Sequence, residues 1–275
     1  MDHDGPFERI TSLQNTKVKQ ARKLREKRQR ERDGRFVIEY SRDLERALDQ
    51  GFTVDYALYA PQLADEDDNN IRSRLPASHV FEVTPEIMQK ASYRQNPNGL
   101  LAVMISRPLR DVTWLAEQAP ALILVLVDLK KPGNIGALLR TADAAGIDAI
   151  VLVDTALDLF NPNIIRSSTG ACFINNVVVA ASEDALSFFQ STGYTTVATV
   201  VDGSRLLFEA DFTGKTAILL GTEDQGLPDF WVDQTNQQVR IPMMGQLSDS
   251  LNVSVSGAIF MYEALRQRAA LDFET

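Results

Sequence analysis

Five polar side chains in the second half of this chain stand where strands should hand over to helices or loops: Asn134, Arg140, Glu223, Ser250 and Asn252. They lie in three small-residue-rich segments. The first is Pro132-Gly133-Asn134-Ile135-Gly136 running to Arg140-Thr141-Ala142, and the second is Leu220-Gly221-Thr222-Glu223-Asp224-Gln225-Gly226-Leu227. The third is Ile241-Pro242-Met243-Met244-Gly245 running to Ser250-Leu251-Asn252-Val253-Ser254. Amides, a guanidinium, a carboxylate and a hydroxyl can orient groups and balance charge. A carboxylate at Glu223 would sit in the crevice beyond a strand's carboxyl end, and glycines on either side let the chain fold tightly around a ligand. Each junction taken alone also reads as local structure, with Asn134 capping a helix that carries Arg140 two turns in, and Ser250 capping another.

The elements that must position these residues follow from hydrophobic pattern. Residues 121–127 form a continuous apolar run, typical of a strand buried on both faces. Further strands are expected at 149–153, 176–180, 195–200, 216–221 and 238–241, with helices between them. The last helix, 251–268, carries Val255, Ile259, Tyr262 and Leu265 at helical spacing. Such alternation implies a parallel sheet covered on both sides. The first half reads as a smaller α/β domain. It has a basic helix over 15–33, a strand at 35–40, a helix capped by Ser41, a strand at 54–60, an exposed acidic loop at 64–70, and a strand at 79–83. Thr84 and Pro85 then start a helix, and a strand follows at 99–106. The expected division is 1–106, a proline-bracketed linker 107–119, and 120–275.

In order and spacing, the three segments resemble the signature motifs of the SpoU (TrmH-like) family of RNA ribose methyltransferases in the SPOUT superfamily. The resemblance implies an α/β protein whose second domain is a parallel-sheet SPOUT domain with a deep trefoil knot, a path too rare to be derived from spacing. It implies a catalytic set of Asn134, Arg140, Glu223, Ser250 and Asn252. It further implies that S-adenosylmethionine is held by Gly221, Glu223, Gly226, Ile241, Met243, Ser250, Leu251 and Asn252, without a metal. The position matching Arg140 is the family's proposed activator of the ribose hydroxyl. A guanidinium is a poor base, so Arg140 is read as holding the neighbouring phosphate and orienting the hydroxyl, with proton removal direct or relayed. In this family the knotted region forms both the cofactor pocket and a homodimer interface, to which the last helix would be central.

The first domain carries its own resemblance, through Ile10-Thr11-Ser12, Asn15, Val18-Lys19, the basic helix and Phe36-Val37-Ile38-Glu39. It is similar to the substrate-binding domain of rRNA-directed SpoU enzymes, related to kink-turn-binding ribosomal proteins. That implies RNA, specifically rRNA, as partner. Tyr40 stands where many relatives have glycine, and Asp224 where they commonly have glycine or alanine. Asn161-Pro162-Asn163 and the run from Arg166 to Ala171 read either as a wall of the RNA site or as an ordinary loop and helix start.

Composition bounds the alternatives. A hydrophobic content of 44% supports buried cores. No apolar run reaches the roughly 18–20 residues of a membrane span, and residues 1–9 lack a signal-peptide layout, which points to a cytoplasmic protein. One cysteine, Cys172, and two histidines, His3 and His79, leave no room for a disulfide and speak against a metal cluster or a histidine triad. The net charge of −9 opposes nucleic-acid binding until its distribution is read. From Lys17 to Arg35 there are ten basic residues against three acids, a local positive field on an acidic protein. No Gly-x-Gly-x-x-Gly turn supports a dinucleotide oxidoreductase. A tRNA-directed methyltransferase and a non-catalytic RNA-binding or assembly protein of the same fold stay open as alternatives.

Overall fold

Short apolar runs separated by helix-capping signals assemble into two sheets in the computed structural model, which describes residues 7–154, 157–174, 176–247 and 249–272. His3 lies outside them. By Cα proximity the chain forms two units, one holding residues up to Pro108 together with Asp158–Ile174, the other holding the remainder.

The first unit runs β1 (Glu8–Ile10), α1 (Thr16–Lys23), α2 (Lys27–Asp33), β2 (Arg35–Ile38), α3 (Ser41–Asp49), β3 (Val54–Tyr59), α4 (Glu66–Ser73), β4 (Val80–Val83), α5 (Pro85–Ala91) and β5 (Leu100–Ile105). Its sheet has the order β1-β4-β3-β5-β2, with β4 parallel to both neighbours and β5 antiparallel to both of its own. Val18 and Leu24 from the α1 region and Ile87 and Met88 from α5 pack on Val37, Tyr56, Leu58 and Val103 of the sheet. Thr84 caps α5, accepting from the Ile87 amide at 3.3 Å, and Pro85 opens the helix.

Several elements differ from the sequence reading for identifiable reasons. The basic helix is broken at residues 24–26, which lets Leu24 become fully buried and turns Arg30 inward. The acidic segment is not a loop but the start of α4. Asp65 caps it by accepting from the Asp68 amide at 2.8 Å, and three acids in the first turn favour the positive end of the helix dipole. Ser41 is the first helical residue of α3 rather than its cap. Its hydroxyl donates to the buried Asp68 carboxylate, whose other oxygen accepts from the Gly99 amide at 2.8 Å.

The second unit contains α6 (Val112–Gln118), β6 (Leu122–Val127), α7 (Pro132–Ala144) and β7 (Ala149–Val153). Next in the chain comes α8 (Pro162–Ser168), which belongs to the first unit. The second unit continues with β8 (Val177–Ala180), α9 (Ser182–Thr192), β9 (Thr195–Thr199), β10 (Arg205–Leu206), β11 (Thr216–Leu220), α10 (Asp229–Gln234), β12 (Gln237–Arg240) and α11 (Val253–Asp272). All seven strands pair in parallel, in the order β10-β12-β9-β11-β6-β7-β8. The interior strands β11, β6 and β7 are buried along their whole length, which is why they read as unbroken apolar runs. The segment between the two expected domains carries α6, whose Leu115 is buried in the core of this unit.

In the first unit the chain from Asp158 to Ile174 is held by aromatic packing and one buried ion pair. The Phe160 ring stacks on Phe36 with centroids 4.3 Å apart, and Phe173 meets Phe52 edge-on at 5.3 Å. Arg30, only 4% exposed, donates through Nε to Asp158 Oδ2 at 2.6 Å and through Nη1 to the Leu24 carbonyl at 2.6 Å.

Candidate active site

β6 and β11 are neighbours in the sheet, so their carboxyl ends bring the first two motif segments together. Asp128 leaves β6 with φ +50, a left-handed conformation that aspartate tolerates, and turns the chain toward α7. That helix begins at Pro132, so Asn134 lies within its first turn and is not its cap; residue 131 occupies the cap position without a side-chain capping bond. Freed from capping, the Asn134 amide reaches across to the second motif.

The second motif is a tight loop after β11. Thr222 and Gly226 exchange backbone hydrogen bonds of 2.9 and 3.0 Å, enclosing Glu223, Asp224 and Gln225, and Gly226 adopts φ +70. Gly221 is pressed directly beneath the returning chain. A Cβ there would lie 2.1–2.3 Å from backbone atoms of Gly226 and Leu227, so only glycine fits.

The third motif approaches from α11. A Cβ on Gly257 would stand 2.4 Å from Leu138 of α7 and 2.8 Å from Leu220 of β11, so its lack of a side chain lets α11 lie close against both. The helix starts at Val253, two residues later than expected. Asn252 is its cap, accepting through Oδ1 from the Ser254 amide at 2.9 Å and hydroxyl at 2.6 Å. The core face of α11 is Val253, Gly257, Phe260, Met261 and Ala264. The stripe picked out by sequence spacing is a different one, with Val255 and Tyr262 exposed.

Three of the five expected catalytic residues meet. Asn134 donates through Nδ2 to Glu223 Oε1, and Asn252 donates through Nδ2 to Asn134 Oδ1 at 3.3 Å. Glu223 Oε2 lies 3.8 Å from Lys131 Nζ, a neighbour that spacing arguments passed over. Its signal was the Lys130-Lys131 pair immediately before the first motif, opposite in charge to Glu223. The result is a chain of polar groups in which one carboxylate is oriented by an amide and balanced by an ammonium.

Arg140 and Ser250 do not join that chain. Arg140 is exposed on α7 and its side chain makes no hydrogen bond or ion pair with the described residues, and the Ser250 side chain is likewise exposed and without such a bond. Six residues along a helix rotate a side chain by about 240° and raise it about 9 Å, so Asn134 and Arg140 address different directions. Of the residues expected at the cofactor, Gly221 is buried, Ile241 and Met243 are half-buried, and Leu251 is exposed. Residues 242–247 and 249–251 make no backbone–backbone hydrogen bond among the described residues, which leaves their amides and carbonyls open to a ligand. Burial pushes the Cys172 thiol up to about 12, which removes it as a nucleophile.

An all-parallel α/β unit with polar loops gathered at its strand ends is shared with solved RNA methyltransferases. The AdoMet-bound rRNA methyltransferase from Sinorhizobium meliloti superposes with a TM-score of 0.83 at 29% identity, over 95% of this chain and 98% of that one. Residues 121–262 match the SpoU rRNA Methylase family, and residues 15–102 match the MRM3-like substrate binding domain. An uncharacterized tRNA/rRNA methyltransferase of Synechocystis sp. is 34% identical over 270 residues, spanning 95% of this chain and 94% of its own. The 23S rRNA (guanosine(2553)-2′-O)-methyltransferase of Bacillus subtilis is 29% identical over 260 residues, 93% and 98% of the two chains. The fold and its strand-end site thus define the class of parallel-sheet RNA 2′-O-methyltransferases. Within it, the chain belongs to the SpoU rRNA Methylase family.

Proposed function

We propose that this protein transfers a methyl group from S-adenosylmethionine to a ribose 2′-hydroxyl of rRNA. The observation that carries the reading is the hydrogen-bonded path Asn252–Asn134–Glu223, which joins all three motif segments at one end of the parallel sheet. The cofactor supplies a sulfonium methyl already activated for displacement. The tight loop at residues 221–227 and the open backbone at 242–247 and 249–251 would hold it, with Met243 and Leu251 offering apolar surface. Asn134 and Asn252 orient polar groups at the rim, and Glu223 is the acceptor around which they are arranged. Arg140, exposed and without an ionic partner among the described residues, is suited to a substrate phosphate and so to aligning the 2′-oxygen for in-line attack.

The same proposal includes the knotted path, a cytoplasmic location, and a homodimer. The exposed Val255 and Tyr262, 48% and 50% accessible on the face of α11 opposite its core, support an interface there. The rRNA preference draws on the substrate-binding match at residues 15–102 and on the names of the relatives.

The test is transfer of labelled methyl from S-adenosylmethionine to unmodified 23S rRNA and, separately, to tRNA. Label in an rRNA ribose that disappears with Arg140→Ala is expected. Label in tRNA alone would overturn the substrate, and cofactor binding without transfer to either RNA would favour a non-catalytic binding protein.

A further inference from the structure

The first unit contains a cleft of about 400 Å3 that lies apart from all three motif segments in sequence. One wall is the loop after α5, and the other is α8. The loop is pinned at several points. Glu39 accepts from the Ser92 hydroxyl at 2.8 Å and from the Tyr93 amide at 2.5 Å, and Arg25 donates to the carbonyls of Lys90 and Ser92. Arg94 is bonded to Asn98 and lies over the Tyr40 ring, its guanidinium carbon 4.2 Å from the centroid. Tyr40, the residue in place of glycine, therefore builds a flat guanidinium–aromatic floor.

On this fixed loop the Tyr93 ring is 49% exposed and has no aromatic or cationic neighbour among the described residues. Across the cleft, α8 presents Asn163 and the exposed Arg166, whose only side-chain hydrogen bond among the described residues is a long one of 3.4 Å to Asn163. That wall is anchored from behind by the Phe160–Phe36 stack and the Arg30–Asp158 pair. An open aromatic face on a hydrogen-bonded loop, a cation and flanking amides are the groups with which proteins take hold of unpaired nucleotides. The base stacks, the guanidinium meets phosphate, and amides read the base edge. Four of the ten basic residues in the run 17–35 are already committed. Arg25 and Arg30 are structural, Arg35 pairs with Asp55 at 2.7 Å, and Lys17 lies over Tyr56 and Phe81. Charge on phosphate carries no base recognition in any case, so specific recognition in this unit needs a site beyond that charge.

We infer that this cleft holds one unpaired nucleotide of the RNA substrate, its base on Tyr93 and its phosphate on Arg166. The inference rests on the RNA-methylation reading for the identity of the ligand. The Tyr40–Arg94 floor and the Glu39 clamp are positioning elements that keep the Tyr93 ring presented.

The test measures binding of unmodified, in vitro transcribed 23S rRNA to the whole protein across a salt series, alongside calorimetric binding of S-adenosylmethionine and thermal unfolding. Tyr93→Ala is expected to weaken RNA binding about five- to hundred-fold, while Tyr93→Phe keeps wild-type affinity. Arg166→Ala is expected to weaken it too and to lower the slope of log K against log salt by about 0.7, the signature of one lost single-strand phosphate contact. Cofactor affinity and unfolding temperature should match wild type in all three. Wild-type RNA affinity in both alanine variants overturns the inference, as does a wild-type protein that does not bind this RNA. Failure of methyl transfer with the binding pattern intact would instead overturn the catalytic proposal and leave the cleft assignment standing.

Discussion

Replacing Gly221 with alanine probes how the loop after β11 is shaped. An added Cβ would lie 2.1 Å from the Gly226 carbonyl carbon, 2.2 Å from its oxygen and 2.3 Å from the Leu227 nitrogen, about 1.3 Å inside ordinary contact at the closest. All three are backbone atoms, so no rotamer change relieves the overlap and the returning chain must move as a piece. That movement breaks the two Thr222–Gly226 hydrogen bonds of 2.9 and 3.0 Å. Each contributes about 0.5–1.5 kcal/mol, and overpacking adds about 1–3 kcal/mol, for a loss of roughly 2–6 kcal/mol. Gly226 is the control. Nothing lies near its missing Cβ, and alanine there meets only the strain of φ +70, about 1–2 kcal/mol. Urea unfolding of both variants, followed by circular dichroism, should rank Gly221→Ala well below Gly226→Ala. Calorimetric titration should show Gly221→Ala losing S-adenosylmethionine affinity. If Gly221→Ala costs less than about 1 kcal/mol and binds cofactor as wild type does, steric closure does not shape this loop and the reasoning fails.

Asp158→Ala strands the buried Arg30 guanidinium and should cost about 3–5 kcal/mol in urea unfolding, whereas a joint Arg30→Met, Asp158→Leu change should recover most of it; equal losses in both would refute the pairing argument. Burial raises the Asp43 carboxyl above its ordinary value despite the Arg42 guanidinium on its Oδ1, and its Oδ2 has no hydrogen-bond partner among the described residues. A raised acid pKa in the folded state means stability present at low pH is lost as pH climbs through that value. Asp43→Asn should therefore gain on wild type as pH rises above the ordinary carboxylate range, and a pH-independent difference would sink the idea. Tyr262→Glu combined with Val255→Glu should convert a dimer to monomer in sedimentation velocity while leaving the unfolding temperature near wild type, since both side chains are half exposed; an unchanged sedimentation coefficient would remove α11 from the interface.

The strands of the second unit were legible in the sequence because interior parallel strands are buried on both faces and so must be apolar throughout. Residues 149–153 and 216–220 fall where pattern alone puts them, to within a residue. Cap chemistry was legible where the capping side chain has no better partner, as at Thr84. It misled at Ser41 and Asn134, whose side chains bond Asp68 and Glu223, 27 and 89 positions away. The acidic stretch 64–70 looked like a loop because polarity alone says nothing of the helix dipole that those acids stabilise. The five polar positions were visible as motif members. That Asn134, Glu223 and Asn252 form one bonded path, that Lys131 stands beside it and that Arg140 faces elsewhere depended on how α7, β11 and α11 pack. That packing is permitted by missing side chains at Gly221 and Gly257. No local signal announces that Asp158–Ile174, flanked by strands of one sheet, packs with the other unit. The aromatic stack and buried ion pair that hold it join residues more than a hundred positions apart, and only the folded chain brings such partners within reach.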